Sequence, residues 1–361
     1  MLNVDYLVVG SGLTGATIAR ILSDAGREVA VIDRREQFGG NVVDALHESG
    51  IRYNLYGPHY FRTGSQRIWD FAQRFSKFRL FEAKLLTFCQ DRHWPWPLHQ
   101  EHVQELAHGN WVLLHRHSPV NFEEAALNMM PEVIYRLFVK GYTEKQWGVP
   151  SNQLEPSLAR RFDVRVDGDL RLSRKPFQGL PEDGYSAWIG KMLAGVECRS
   201  CVDYLSQRSE FKVKNHLIFT GPIDEFFEYK LGRLKYRGQR RTHKFFSDSE
   251  IVLPGVQVNY PDPFSFEKIR TIEWKWLDRS IRVKGSLITD ETPFSPDNPG
   301  DYEYPFPDTH NRELYERYRR ASTTMSDVTF CGRLGEYRYY DMDQAIGKAM
   351  LIAENLLHDL R

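Results

Sequence analysis

No run of apolar residues approaches the ~18 that a membrane-crossing helix needs. The apolar start at residues 4–9 is followed by glycines at 10, 12 and 15 and lacks a basic leader, so it reads as a buried strand and turn rather than a signal peptide. The expectation is a cytoplasmic chain with no membrane span. Cysteines number only four, which fits that setting. Cys198 and Cys201 form a lone C-x-x-C with no second Cys or His pair at zinc spacing, so no metal site is expected and the thiols read as packed or partly exposed. An excess of one charge is also missing: 48 Lys and Arg balance 48 Asp and Glu, which removes any global electrostatic case for a nucleic-acid partner. Internal repeats and low-complexity stretches are absent as well.

What is present is an ordinary globular composition, 41% hydrophobic and 27% charged, over 361 residues, enough for about two domains. Aromatic residues are abundant, and Tyr302, Tyr304, Tyr337, Tyr339 and Tyr340 crowd the second half. Most such residues pack cores, but tyrosines also line sugar and phosphate pockets, because each offers an apolar face and one hydroxyl.

Patterning predicts a buried strand over 4–9, a helix over about 14–25 and a second strand over 28–33, a βαβ start of nucleotide-binding length. Residues 65–80 carry a mixed helical pattern. Residues 100–150 read as largely helical, an insertion with apolar spacing through Ala125, Met130, Ile134 and Leu137. A helix is predicted over 185–195 and a strand over 216–220. Residues 255–290 alternate as antiparallel strands do, and 292–308, rich in Pro, Asp and Gly, read as a loop. The chain closes with a strand over 327–331 and a helix over about 341–358. The fold class is thus α/β: a Rossmann-like dinucleotide-binding domain with an inserted helical subdomain and an antiparallel β-sheet domain. Its boundaries are placed at 1–80, 185–230 and 315–361 for the first, 81–160 for the second, and 161–184 with 231–314 for the third.

Gly10-Ser11-Gly12-Leu13-Thr14-Gly15 is a G-x-G-x-x-G between a strand and a helix, the context that makes this otherwise weak motif informative. Glycines let backbone approach a pyrophosphate, and the helix N-terminus supplies oriented N–H groups and partial positive charge. Asp33, 18 residues beyond Gly15, ends the second strand where a carboxylate accepts hydrogen bonds from a ribose. Arg34 alone would suggest a 2′-phosphate. The turn Gly39-Gly40-Asn41 that follows is a second phosphate-approach loop, more like that of FAD-binding oxidases and mutases than of NAD dehydrogenases. The strand running into Gly332 and Arg333 returns the chain to the cofactor ahead of the last helix.

Residues 140–149, Lys-Gly-Tyr-Thr-Glu-Lys-Gln-Trp-Gly-Val, resemble bacterial UDP-galactopyranose mutases. The resemblance spans nearly the whole chain: the glycine motif at 10–15, Gly-Gly-Asn at 39–41, Tyr-Gly-x-His-x-Phe at 56–61, Gln-Gly-Leu-Pro at 178–181, Thr-Gly-Pro-Ile-Asp at 220–224 and Gly-Arg-Leu-Gly-Glu-Tyr-Arg-Tyr-Tyr-Asp-Met at 332–342. It implies an isomerase in which N5 of reduced FAD attacks the anomeric carbon of a nucleotide sugar. The diphosphate leaves, the ring opens and recloses through another hydroxyl, and no net oxidation occurs.

The same resemblance assigns residues one by one. His59 is implied on the flavin side. Arg161, on a mobile segment, and Arg270 are implied on the phosphates, with Tyr142, Tyr304 and Tyr339 beside them. Asp341 is implied between substrate and flavin, Trp147 on the closing loop, and Glu291 at a sugar hydroxyl. Val202 and Met342 complete the implied cofactor set. A reductant such as NAD(P)H and a homodimer, as in related bacterial enzymes, are further implications.

Three departures stand out. Arg62 replaces a second histidine, Pro58 stiffens the turn before His59, and Leu172 replaces a phosphate tyrosine, with Arg171 and Arg174 near enough to compensate. Residues 80–120, which help recognise the nucleotide, match poorly. UDP-galactose or a related UDP- or TDP-linked deoxy- or amino-hexose is therefore expected as substrate. The competing readings are an FAD oxidoreductase of amine-oxidase type, which needs no paired phosphate arginines, and a non-catalytic nucleotide-sugar binder.

Overall fold

Residues 2–9 combine an apolar run with burial on both faces, which only a central strand of a covered sheet achieves. In the computed structural model, which describes residues 1–109, 118–162, 164–165 (backbone only) and 168–358, Leu2–Val9 is the middle strand of a five-stranded parallel sheet. Its neighbours are Val29–Ile32 and then Glu197–Arg199 on one side, and Phe211–Phe219 and then Val328–Phe330 on the other. Alternate residues serve two cores. Tyr6, Val8 and Val31 face the helices Leu13–Asp24 and Met342–His358, whereas Leu7, Val9 and Ile32 face Leu217, Phe219 and Phe226. Burying each such Val, Leu or Ile is worth about 1.5–3 kcal/mol, so the sheet holds its C-terminal edge rigidly. The glycine turn leaves from that edge.

A seven-stranded sheet forms the second layer, in the order Tyr304–Pro305, Tyr236–Phe246, Ser286–Phe294, Arg270–Glu273, Gln257–Asn259, Leu85–Cys89, Arg92–Trp96. All its pairs are antiparallel except Gln257–Asn259 with Leu85–Cys89. Residues 85–96, expected inside the helical segment 81–160, are instead a β-hairpin at this sheet's edge. Trp94 is buried there against Phe138. The expected loop at 292–308 is shorter, because the strand continues to Phe294 and Tyr304–Pro305 pairs again. The strand Tyr236–Phe246 falls within 231–314, the segment assigned to the antiparallel domain, although the patterning places no element there, and the helix Thr309–Ser322, capped by the Asp308 carboxylate on the Asn311 N–H at 2.7 Å, was not anticipated.

Apart from the short strand Leu98–His99, which pairs with Val164–Arg165, the regular elements described in the rest of the inserted segment are helical, including Gln100–Leu106, Phe122–Leu127 and Gly141–Trp147. Residues 110–117 of that expectation lie outside the described residues. A three-stranded sheet, Phe61–Thr63, Phe177–Pro181 and Phe78–Leu80, bridges the layers. Among the described residues no helix is long and apolar enough to cross a membrane.

Candidate active site

The glycine turn forms the floor of one end of a large cleft. Gly10 has φ +100°, and a Cβ there would stand 2.1 Å from Thr220 Oγ1; at Gly15 it would stand 1.9 Å from the Gly10 carbonyl oxygen. Side chains are excluded, so backbone lies bare. The helix Leu13–Asp24 begins without a side-chain cap and without an acidic residue in its first turn, leaving its N–H groups for an anion. Gly40 presses on Gly12, where an added Cβ would meet the Gly12 Cα at 2.9 Å, so the second phosphate-approach loop lies directly on the first.

Asp33 is buried, and its carboxylate accepts from the Ser11 N–H (2.8 Å), the Ser11 hydroxyl (2.5 Å) and the Arg35 N–H (2.9 Å). A carboxylate has about four acceptor positions, so Asp33 shapes the turn first and has little capacity left for a ribose. Arg34 is bound through both terminal nitrogens by Glu225, at 3.0 and 2.8 Å. That pair neutralises the cation that would have greeted a 2′-phosphate.

From this cradle the cleft runs, with a volume of about 1330 Å³, past His59 to Tyr142, Arg161, Arg270, Tyr304 and Tyr339. Single ligands of drug size occupy about 300–1,000 Å³, so there is room for a dinucleotide and a second ligand. Every residue assigned from the sequence to cofactor or substrate lines it except Glu291. Glu291 is fully buried behind the wall. Its carboxylate accepts from Arg241 Nε at 2.9 Å and from Arg270 Nε, and Arg241 continues to Glu303 at 2.8 Å through each terminal nitrogen. The result is a buried chain of alternating charge: Glu303, Arg241, Glu291, Arg270. Burial pushes the Glu291 carboxyl up, but the two guanidiniums outweigh it and hold it below its ordinary value. Glu291 is thus committed to arginines, not open to a sugar hydroxyl.

Gly57 explains how the histidine turn is seated on this chain. It has φ +86°, and a Cβ there would lie 2.6 Å from Glu291 Oε1 and 3.2 Å from an Arg270 terminal nitrogen. Only glycine lets the turn rest on the network. Two residues on, His59 is held by Tyr185, whose hydroxyl donates to the His59 carbonyl at 2.9 Å. His59 lines the cleft, and its Nδ1 is buried with no hydrogen-bond partner among the described residues. An orphaned ring nitrogen beside a cradle that a Cβ would fill fits a bound cofactor that supplies the missing partner.

Burial, then the Arg333 and Arg241 guanidiniums, lower the His59 pKa from 6.5 to about 3. The folded state therefore rejects the imidazolium. The resulting stability is fully present above about 6.5 and is lost as pH falls toward about 3. Urea unfolding between about pH 6.5 and 4.5 should show a loss of up to ~1.4 kcal/mol per pH unit from this group. His59→Asn should flatten that slope; equal slopes in both proteins would show that His59 titrates freely.

Arg161 ends the short turn Pro156–Arg161, and its guanidinium lies 4.4 Å over the Tyr339 ring. It reaches solvent through the open cleft yet is closely surrounded. Burial works against its charge, but Tyr339, Tyr304 and Tyr142 outweigh that and raise its pKa. Tyr142 and Tyr304 act on Arg270 in the same sense, so these tyrosines couple to both cations. Trp147 is only 6% exposed and packs 5.8 Å from Phe306, which makes it as much core as lining.

The departures resolve differently. Arg62 lines the cleft and stands 3.8 Å from Asp341, whose carboxylate also accepts from the Tyr339 hydroxyl at 3.4 Å. Leu172 packs in a cluster with Ala83 and Leu85. Arg171 does not compensate for the absent tyrosine: it turns away to Asp169 and Glu82, both at 2.9 Å, and Arg174 also faces Asp169, at 3.9 Å. The reason is local, since Asp169 offers both arginines a partner outside the cleft.

Sequence reasoning missed Tyr60, Gln257 and Asn259, which also line the cleft. Gln257 donates to Asn259 at 2.8 Å. The two-residue period around buried Val258 was the available signal. Arg241 and Glu303 were missed because nothing local marks an ion-pair chain assembled from three strands.

Two sequence families match the chain. The NAD(P)-binding Rossmann-like domain matches residues 8–75. The UDP-galactopyranose mutase family matches residues 137–339. The chain is 29% identical over 376 residues to the dTDP-fucopyranose mutase of Escherichia coli, covering 96% of this chain and 97% of that one. It is 26% identical over 386 residues to the UDP-galactopyranose mutase of Mycoplasma pneumoniae, covering 98% and 96%. A crystal structure of reduced UDP-galactopyranose mutase matches the fold with a TM-score of 0.79 at 16% identity, over 99% of this chain and 94% of that one. Putrescine oxidase shares the fold more distantly, with a TM-score of 0.60 at 11% identity over 99% of both chains.

Proposed function

The chain belongs to the UDP-galactopyranose mutase family, and from this premise we propose that it is a flavin-dependent mutase interconverting the pyranose and furanose forms of a nucleotide-diphosphate sugar. One observation carries the reading: a single cleft joins a bare glycine cradle for a dinucleotide to two arginines, Arg161 and Arg270, flanked by Tyr142, Tyr304 and Tyr339. A diphosphate leaving group concentrates negative charge, and preorganised guanidiniums stabilise it most where water is scarce.

Bound and reduced FAD would supply a nucleophilic N5 to a reaction with no net redox change. The backbone of residues 10–15 and 39–41 would hold its phosphates, with Gly332, Arg333, Met342 and Val202 along its length. His59, kept neutral, would present its orphaned nitrogen toward the flavin. Arg161 and Arg270 hold the diphosphate as it departs and as it returns, and Asp341 with Arg62 borders the sugar. The division into a discontinuous FAD domain, a helical subdomain and an antiparallel substrate domain belongs to this reading, as do a reductant such as NAD(P)H, a cytoplasmic setting and a homodimer.

The substrate class is UDP-galactose or a related UDP- or TDP-linked deoxy- or amino-hexose. The similarity to a dTDP-fucopyranose mutase supports the wider panel. The purified protein should be yellow. After dithionite reduction it should convert one of a panel of UDP- and TDP-hexopyranoses to the furanose, read by chromatography and NMR, and should do nothing when oxidised. Bound flavin with oxidant consumption and no ring isomerisation would replace this reading with an oxidoreductase.

A further inference from the structure

The helix Gly141–Trp147 carries Tyr142, Gln146 and Trp147 into the cleft, and Lys145 leaves it in another direction. Its ammonium enters the loop between the strands Gln257–Asn259 and Arg270–Glu273, where its three protons are shared among four carbonyl oxygens within hydrogen-bond distance. They belong to Tyr260 (2.5 Å), Asp262 (3.0 Å), Phe266 (3.0 Å) and Lys268 (2.9 Å). The stem of this loop is the pair Asn259–Arg270, and both residues line the cleft. Lys145 therefore fills the centre of the turn whose base presents the phosphate-side arginine.

A second contact, independent of charge, joins the same two elements. Gly141 lies one helical turn before Lys145, and a Cβ there would stand 2.3 Å from the Pro261 carbonyl oxygen and 2.9 Å from Pro263 Cδ. Glycine brings the helix backbone onto the loop, and the lysine then closes around it. From the opposite side buried Arg237 grips the end of the helix, donating to the Gln146 carbonyl at 2.7 Å and the Lys145 carbonyl at 3.1 Å.

We infer that Lys145 is a positioning residue for the diphosphate site: it fixes the helix bearing Tyr142 to the hairpin bearing Arg270, so that hydroxyl and guanidinium meet the substrate at one set distance. An ammonium suits this task because its three protons converge on a small sphere of acceptors, whereas a planar guanidinium cannot. Among the described residues the four carbonyls have no other donor, so the loop relaxes once it is removed. A misplacement of about 1 Å at a reacting centre costs as much as ~100-fold. The inference rests on the proposed diphosphate chemistry.

The test uses flavin-loaded wild type, Lys145→Met and Lys145→Gln in parallel. Binding of UDP and of TDP is measured by calorimetry, and turnover on the substrate that wild type converts is measured alongside. Both variants should keep their flavin stoichiometry, should bind the nucleotide about tenfold or more weakly, and should show the loss in KM more than in kcat. Nucleotide affinity and KM within about twofold of wild type would overturn the positioning role. So would loss of flavin and fold in both variants, which would make Lys145 a stability residue. Failure of wild type itself to bind either nucleotide would instead count against the proposed function.

Discussion

Arg161→Ala is expected to lower kcat/KM by about 10²–10³-fold while the protein stays folded and yellow. The magnitude is that of removing one preorganised donor from a site of developing negative charge, about 2.7–4 kcal/mol. Arg161 lies over the Tyr339 ring at the end of a short turn, outside the buried chain of ion pairs. Its removal leaves no buried charge uncompensated there, and the effect should be catalytic, not structural. Arg270→Ala should match it in activity but also lose stability, because Glu291 would lose one of its two cations. Steady-state kinetics with the flavin spectrum and urea unfolding separate the two. If Arg161→Ala retained near-normal turnover, the diphosphate would be held elsewhere.

Replacing Glu291 should produce the largest loss of stability in the site. The carboxylate is fully buried and holds Arg241 and Arg270 together. Breaking a buried pair by deleting one partner costs about 3–5 kcal/mol, because the other charge stays behind. Glu291→Ala should therefore lower the unfolding free energy by that amount. Glu291→Gln, which keeps one acceptor, should lose less, and kcat/KM should fall in both as Arg270 loses its orientation. The alternative is the direct sugar contact that the resemblance implies. It makes the opposite forecast: Glu291→Gln would raise KM for the sugar substrate with stability unchanged. Urea unfolding of the two variants decides, and a loss under about 1 kcal/mol in Glu291→Ala would reject the ion-pair account.

The chemistry of the two prospective ligands explains the layout of the cleft. A dinucleotide is held by bare backbone, which needs glycines and a helix N-terminus, and these are continuous in sequence. A diphosphate is held by long cationic side chains, which need partners to aim them. Arg270 is aimed by Glu291 from the adjacent strand, through the register Arg270↔Glu291, and Glu291 is balanced by Arg241, its partner across the other strand pair. Gly57 then seats the histidine turn on the same network. The turn that bears His59 and the strand that bears Arg270 therefore share one support.

Local signals were read well where the physics is local. The strand-glycine-helix start, the second strand and the closing helix follow from apolar periodicity and turn chemistry within a few residues. The ordered motifs from 10 to 342 were enough for the family. Readings failed where distant partners decide. Residues 85–96 became strands because the edge Gln257–Asn259 was open to them, and Arg171 turned from the cleft because Asp169 and Glu82 were closer.

By itself, then, the sequence determined a dinucleotide-binding α/β chain of the mutase family and pointed to about twenty of the residues that line its cleft, because glycines, motif order and periodicity act over short spans. Only the tertiary structure decided what those residues do to one another. It took Glu291 out of the cleft and set it between two arginines, spent most of Asp33 on its own turn, and anchored the Tyr142 helix through Lys145 to a loop more than a hundred residues away. Those outcomes depend on charges and carbonyls brought together by two different sheets, and electrostatic partners in a buried site are chosen by distance in space.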